Sequence, residues 1–384
     1  MERVMASQST ISREAKRKLN GIYAMAIASI FSLVVFAYLP KVSGDVTYSF
    51  VLDEEWVLIR QWVIDSRVGA YGFSALSVLF TALAYYLFRK GKKHGIAIFG
   101  FSIGLFMAFL CWASAGDFVP FTGLLQGGLI LAVPLIYGSL AGLVCERSGV
   151  INIAIEGQLL GSAFIAGIVG SLLQNAWYGL LIGPFAGALI SVLLAVFAIK
   201  YRIDQVILGF VINVLIIGLT SFAAQRFLTQ DADKWNSSPI LKPIDIPILS
   251  KLPIIGPMFF SQTIIIYLLY VILVVTQIAL FKSKWGLRMR SVGELPVAAE
   301  SVGIDVNKVR FRNVIIAGAI AGFGGAYFTV GSVGSFSREM TAGMGFIALA
   351  ALIFGRWTPL GALSAALVFG FADQLRSVLS IAGT

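Results

Sequence analysis

Of the 384 residues, 58% are apolar and only 12% are Asp, Glu, Lys or Arg, where a soluble globular chain carries roughly 25% charged residues. With a mean hydropathy of +0.89, that much apolar surface has no hiding place in water; a soluble enzyme or binding module is excluded, and the solvent is lipid. A net charge of +10 would suggest nucleic acid as the partner of a soluble protein, but here the cations gather in a few inter-helix loops.

Arg13, Lys16, Arg17 and Lys18 precede an apolar run at 21–39. The run is about as long as a full membrane crossing, and no small-x-small cleavage site follows it, so it is expected to stay as the first helix. Further runs long enough to cross about 30 Å of hydrocarbon lie at 69–88, 96–115, 121–144, 151–172, 177–199, 206–226, 263–281 and 313–333. A shorter run at 345–355 and a long one at 358–381 close the chain. The prediction is an all-α polytopic membrane bundle of about 10–11 transmembrane segments, whose 40 glycines suit close helix packing in a bilayer.

Orientation follows from the basic loops. Arg89, Lys90, Lys92 and Lys93 lie at 89–95, Lys200 and Arg202 at 200–204, and Lys282, Lys284, Arg288, Arg290, Lys308, Arg310 and Arg312 at 282–312. Even numbers of crossings separate these loops, so one topology places them all, with the N-terminus, in the cytoplasm. Loops 40–68 and 227–262 are then outside, the first with Asp45, Asp53, Glu54, Glu55 and Asp65, the second with Asp231 and Asp233. Pro239, Pro243, Pro247, Pro253 and Pro257 rule out a regular helix in the second loop, which reads either as an extended cap or as a spacer. Cys111 and Cys145 sit in or at the end of apolar runs and match neither a disulfide framework nor a metal spacing, and His94, in a basic loop, reads as solvated.

The chain has no HExxH, GxSxG or GxxxxGK[ST] motif, which weighs against catalysis. Three other stretches stand out. In Glu146-Arg147-Ser148-Gly149-Val150-Ile151-Asn152-Ile153-Ala154-Ile155-Glu156-Gly157, a tight turn through Ser148 and Gly149 joins two apolar runs. Asn152 and Glu156 are four apart and are expected on one face of the following helix. A carboxylate in an apolar segment by default marks a cavity or pathway; alternatively Glu156 pairs with Arg147 or caps a helix end.

The second stretch, 284–304, has Glu294 and Pro296 suited to a helix start and Gly303 to its stop. About two turns of helix along the membrane are expected, with Ala298, Ala299 and Val302 as a small apolar face fit for a partner's groove; the plainer reading is a positive-inside loop. In the third, Gly318 and Gly322 form a G-x-x-x-G packing step, followed by Gly324, Gly325, Gly331 and Gly334, Ser337-Arg338-Glu339 and Gly343-Met344-Gly345-Phe346. The run at 345–355 is too short to span, so it is a candidate broken or re-entrant element. A helix, a small-residue turn, a Glu and a Gly-marked helix occur around 141–167 and again around 322–355, a loose internal echo.

At these residues the chain resembles the membrane subunits of ATP-binding-cassette (ABC) importers for simple sugars and nucleosides, which are related to the ribose and branched-chain amino acid permeases. The matching blocks are 146–157, closest to the guanosine-type branch, then Gly286-Leu287-Arg288-Met289-Arg290 through Gly303-Ile304, and Gly345-Phe346-Ile347-Ala348 to Gly355-Arg356-Trp357-Thr358-Pro359-Leu360-Gly361. The likeness covers roughly 119–381. It implies a type II-like ABC importer permease core at 119–384, with a cytoplasmic coupling segment at 284–312, and an N-terminal extension of about three helices at 1–118.

Such a subunit is non-catalytic and moves nucleosides or related simple sugars into the cytoplasm. Its expected partners are an ABC ATPase, a second permease in a heterodimer and an extracytoplasmic substrate-binding lipoprotein. ATP and Mg would sit on the ATPase, with no cofactor or metal in this chain. Gly293, Glu294, Pro296, Ala298, Ala299, Glu300 and Gly303 would couple to the ATPase, and Asn152, Glu156, Asn213 and Tyr327 are the polar candidates for the substrate path. The expected location is a bacterial cytoplasmic membrane, with the N-terminus inside. The family usually carries one more helix after the segment ending here at Thr384, and the crossing count leaves the C-terminus outside. An ion-coupled secondary carrier is the alternative, with Glu156 and Glu339 as coupling carboxylates; a lone carrier, however, has no ATPase for 286–304 to dock on. A membrane enzyme acting on lipid-linked sugars is disfavoured by the missing acid clusters.

Overall fold

The computed structural model describes residues 2–39, 44–51, 56 and 60–381, with side chains from Ala15 onward. Asp53, Glu54, Glu55, Thr384 and the Arg13 side chain lie outside the described residues. Ten helices among the described residues are long and apolar enough to cross a membrane, and an eleventh apolar helix, Met344–Phe354, is shorter. Two compact units divide the chain, residues 1–124 with 376–384, and residues 125–375.

In the first unit, α1 (Glu2–Ser32) continues through a wide π turn at Leu33–Tyr38, and α2 (Ser66–Arg89) and α3 (Gly95–Ala113) follow. α2 starts where the Asp65 carboxylate accepts from the Val68 amide, the usual N-cap device. Hydroxyls of Ser29, Ser77, Thr81, Ser32 and Ser74 pair between α1 and α2, beside an apolar cluster of Ile22, Met25 and Ala84. A small sheet lies between these spans. β1 (Asp45–Ser49) pairs antiparallel with β2 (Gln61–Asp65) and parallel with β3 (Phe118–Pro120). Reading 40–68 as plain loop missed this sheet, because the inward alternation of Val46 and Tyr48 covers only five residues. His94 is not a solvated residue as expected: it is half-buried, its Nδ1 is enclosed, and its ring meets Phe88 edge to face.

In the second unit, α4 (Phe121–Glu146), α5 (Ile155–Leu172), α6 (Ala176–Ala195), α7 (Gln205–Ala223) and α9 (Ile264–Lys282) are joined by a long loop between the last two, which holds the four-residue α8 (Ala232–Trp235). The prolines keep helix in that loop to pieces of five residues or fewer, and β4 (Ile244–Asp245) with β5 (Ser261–Gln262) pins it. Then come α10 (Lys284–Glu294), α11 (Pro296–Ser301), α12 (Val306–Phe328), α13 (Met344–Phe354) and α14 (Pro359–Ile381).

α4 is the centre of this unit, with 89% of its apolar window buried, against 33% for the spans of α7 and α9. A helix apolar on all sides either sits inside or faces lipid, so burial separates the two kinds where periodicity does not. α6 and α12 meet along glycines: a Cβ at Gly187 would strike the Gly318 carbonyl, and one at Gly322 the Gly183 carbonyl. The G-x-x-x-G step thus serves backbone contact, as small residues do between membrane helices.

Candidate functional site

The polar residues of the second unit converge on two breaks in its helices. The apolar run expected at 151–172 becomes helical only at Ile155, and 150–154 is irregular. The second break, 334–343, precedes α13 and holds four left-handed residues, Gly334, Glu339, Ala342 and Gly343, with φ of 77°, 53°, 45° and 82°.

Glu156, 5% exposed, joins the two breaks. Its Oε1 accepts from Thr341 Oγ1 at 2.6 Å and from the Gly343 amide at 2.8 Å, and its Oε2 accepts from the Gly345 amide at 2.6 Å. The carboxylate lies in the first turn of α5 and caps the start of α13, so the positive ends of two helix dipoles both face it. A Cβ on Gly345 would stand 2.5 Å from the Glu156 amide nitrogen, so glycine is what lets the two helix ends meet. Of the two structural alternatives, pairing with Arg147 and helix capping, capping is the one seen. Arg147 does not pair with Glu156; its Nε and Nη2 donate to the Trp357 carbonyl at 3.0 and 2.7 Å, and Trp357 Nε1 donates to Glu146.

Asn152 does not share a helix face with Glu156, because it precedes the start of α5. It exchanges hydrogen bonds with Gln158 at 3.1 and 3.3 Å, and Gln158 also donates to Ser191 Oγ at 2.8 Å. Asn213, on α7, accepts from the Gly157 amide and donates to the Ile153 carbonyl, both at 2.8 Å. These amides serve backbone groups and side chains that the break would otherwise strand in an apolar interior. Tyr327 is buried on α12 against Gly331. Glu339 is exposed. Gln158, Ser191 and Thr341 belong to the junction, yet the sequence reading overlooked them; an amide and two hydroxyls in apolar runs were the available signal.

Lengths place the junction in depth. α13 has 11 residues, roughly 16 Å at about 1.5 Å per residue, half of a hydrocarbon core of about 30 Å. It runs from Glu156 to Trp357, beside Glu146 and Arg147. Ile151 donates to Gln205 at the start of α7, while Asn236, beyond the far end of α7, exchanges hydrogen bonds with Phe336. The chain at 334–354 therefore enters at one face and leaves at the other, a broken crossing of coil then half-helix.

The turn at 146–149 also meets the basic segment. Arg310 Nε donates to the Ser148 carbonyl at 3.2 Å, and a Cβ on Gly293 would strike the Arg147 carbonyl. Pro296 opens α11, and Gly303, with φ of 82°, ends it, as the sequence predicts. The expected apolar face needs correction. Ala299, 3% exposed, packs inward with Val292 and Val306. The outward apolar residues are Ala298 with Leu295, Val297 and Val302 at 68%, 80% and 74% exposure. Glu294 and Glu300 are also exposed. A helix of six residues has a side turned to its own fold, and residue type alone does not say which.

Residues 124–382 match the family described as branched-chain amino acid transport system / permease component. The guanosine ABC transporter permease protein NupQ of Bacillus subtilis (strain 168) is 40% identical over 260 residues, 66% of this chain and 81% of that protein. The nucleoside ABC transporter permease protein NupC of Lactococcus lactis subsp. cremoris (strain MG1363) is 38% identical over 259 residues, 65% of this chain and 80% of that protein. TsgC13 of Haloferax volcanii, provisionally named a glucose ABC transporter permease protein, is 33% identical over 257 residues, 66% of this chain and 78% of its own length. No solved structure matches the chain.

Proposed function

This chain belongs to the branched-chain amino acid transport system / permease component family, and on that premise we propose that it is the permease subunit of an ATP-driven importer for nucleosides or related simple sugars. A permease component of an ABC transporter is a multi-pass membrane subunit and not an enzyme. The names of NupQ and NupC favour nucleosides, and that of TsgC13 keeps simple sugars in view. ATP and Mg belong on a separate ATPase subunit, a second permease completes the path, and a binding lipoprotein delivers the substrate outside. The clustering of Lys and Arg in alternate loops supports an orientation with 284–312 and the N-terminus on the cytoplasmic side of a bacterial cytoplasmic membrane.

One observation carries the mechanism: the segment that bears α11 is locked to the turn that opens α5. Leu295, Val297, Ala298 and Val302, with Glu294 and Glu300, form the face an ATPase groove would take. Movement of that face passes through Gly293 and Arg310 into the turn at 146–149, and from there along 150–154 to Glu156. Glu156 ties α5 to the half-helix α13, so tilting one moves the other. Paired breaks near mid-depth are where transporters place substrate paths. Asn152, Glu156 and Asn213 act here by holding the broken backbone rather than by offering loose polar groups to the substrate.

The test is a pull-down of the tagged chain from mild detergent, with and without 293–303. An ATPase subunit that co-purifies only with the intact segment supports the importer, and purine nucleoside uptake is then measured. A chain that comes down alone in both cases yet drives uptake is an ion-coupled carrier instead.

A further inference from the structure

At the basic ends of two spans lies a cavity of about 600 Å³, lined by Lys200, Arg202, Lys308 and Arg312 together with Asn307, Val196, Ile199 and Phe311. We propose that this cavity binds one anionic phospholipid, its phosphate headgroup taken by the four cations and an acyl chain laid on the wall of Ile199 and Phe311.

Depth is the first argument. Lys200 is the last residue of the span Ala176–Lys200, and Lys308 lies in the first turn of the span Val306–Val333. The cations therefore ring the level where hydrocarbon gives way to headgroups. Basic pockets between helix ends at that level suit anionic lipid headgroups, and a phosphate diester matches the guanidinium forks of Arg202 and Arg312.

Charge is the second. The cavity lining contains four cations and no carboxylate among the described residues. The two nearest acids in sequence are committed to helix starts, Asp204 accepting from the Val206 and Ile207 amides and Asp305 from the Lys308 amide. Four like charges in one cavity repel each other until an anion enters. Arg202 is held there at φ 55°, a left-handed conformation that an L-residue adopts at a cost. A glycine would remove that strain but would also remove the cation.

The third argument separates a lipid from a soluble partner. Beside the cavity, Phe197, Tyr201 and Ile203 are exposed on the surface of the span end, with Lys200 Nζ 5.6 Å from the Tyr201 ring centroid. An aromatic ring next to a cation at a helix end is the arrangement membrane proteins present to the interface. An acyl chain reaches the apolar wall from the bilayer. A water-soluble phosphate reaches only the cations.

Native mass spectrometry on the full chain, taken from vesicles of phosphatidylcholine with one quarter phosphatidylglycerol, tests the site. The wild-type chain is expected to keep one phosphatidylglycerol through delipidation, and K200Q/K308Q/R312Q to lose it by about tenfold or more. Arg202→Gly, which relaxes the backbone, is expected to lower occupancy without lowering thermal stability, so a folding defect does not imitate the result. R89Q/K92Q/K93Q, an equal charge change in the first unit, is expected to retain the lipid. The proposal is overturned if the first triple variant keeps its lipid, or if the control triple loses as much. Excess inorganic phosphate that displaces the lipid would make this a free-phosphate site and overturn the lipid assignment. Loss of a co-purifying ATPase with lipid occupancy unchanged would make it a protein contact.

Discussion

Three donors meet the carboxylate of Glu156, and two of them are backbone amides at the start of α13. Truncation at this position leaves those amides unpaired inside an apolar bundle, at roughly 1–3 kcal/mol for each. Glu156→Gln keeps the shape but puts an NH₂ against an amide donor. We therefore expect both Glu156→Gln and Glu156→Ala to lower the thermal midpoint in detergent by several degrees and to abolish most uptake, while the chain still reaches the membrane. Uptake at the wild-type level in either variant would mean the junction is incidental. Gly345→Ala attacks the same joint from the other side, since its methyl group meets the Glu156 backbone. It is expected to resemble the glutamate variants in uptake, whereas Gly218→Ala, where a Cβ meets nothing within 4 Å, should leave uptake unchanged.

Among elements, α11 is the most informative, because one of its sides is buried and the other exposed. Val297→Asp places a charge on the exposed side and is expected to lose the co-purifying ATPase while membrane levels and melting stay normal. Ala299→Trp forces a large ring into the pocket shared with Val292 and Val306, so it should lower the amount of folded protein. Equal effects of the two on ATPase capture, with folding intact in both, would show that the helix does not dock by its outer face. The seam between α6 and α12 is a second element-level test. Gly187→Val drives branched carbons into the Gly318 carbonyl and is expected to separate the helices and prevent stable expression, measured by the yield of monodisperse protein in detergent. A normal yield would show that the seam yields by sliding.

For the whole molecule, the alternation of basic loops with crossings makes a topology prediction. Cys111 and Cys145 are buried, so single cysteines introduced at Lys92, Tyr201 and Val297 can be read against a low background. These three should react with a membrane-impermeant maleimide only after the inner face is opened, and cysteines at Lys234 and Lys251 should react in intact cells. Labelling of position 297 from outside would invert the topology and overturn the ATPase-docking role proposed for α11.

Composition and run length by themselves determined that this is a polytopic membrane bundle, where its crossings fall and which loops are basic, because a bilayer forces every span to be long, apolar and internally hydrogen-bonded. Punctuation by Pro296 and Gly303 likewise fixed α11 within the chain, since φ preferences are local properties. What Glu156 does was decided only in three dimensions: its donors are Thr341, Gly343 and Gly345, 185 to 189 positions away. The shared helix face expected for Asn152 and Glu156 failed for a related reason. Periodicity presumes an unbroken helix, and the break at 150–154 is stabilised by Asn213, 60 positions away, and by Gln158, itself held by Ser191. Which side of α11 faces outward, and which cations gather at Lys200 and Arg312, also depend on how separate helices pack, a property of the folded chain that no local stretch of sequence contains.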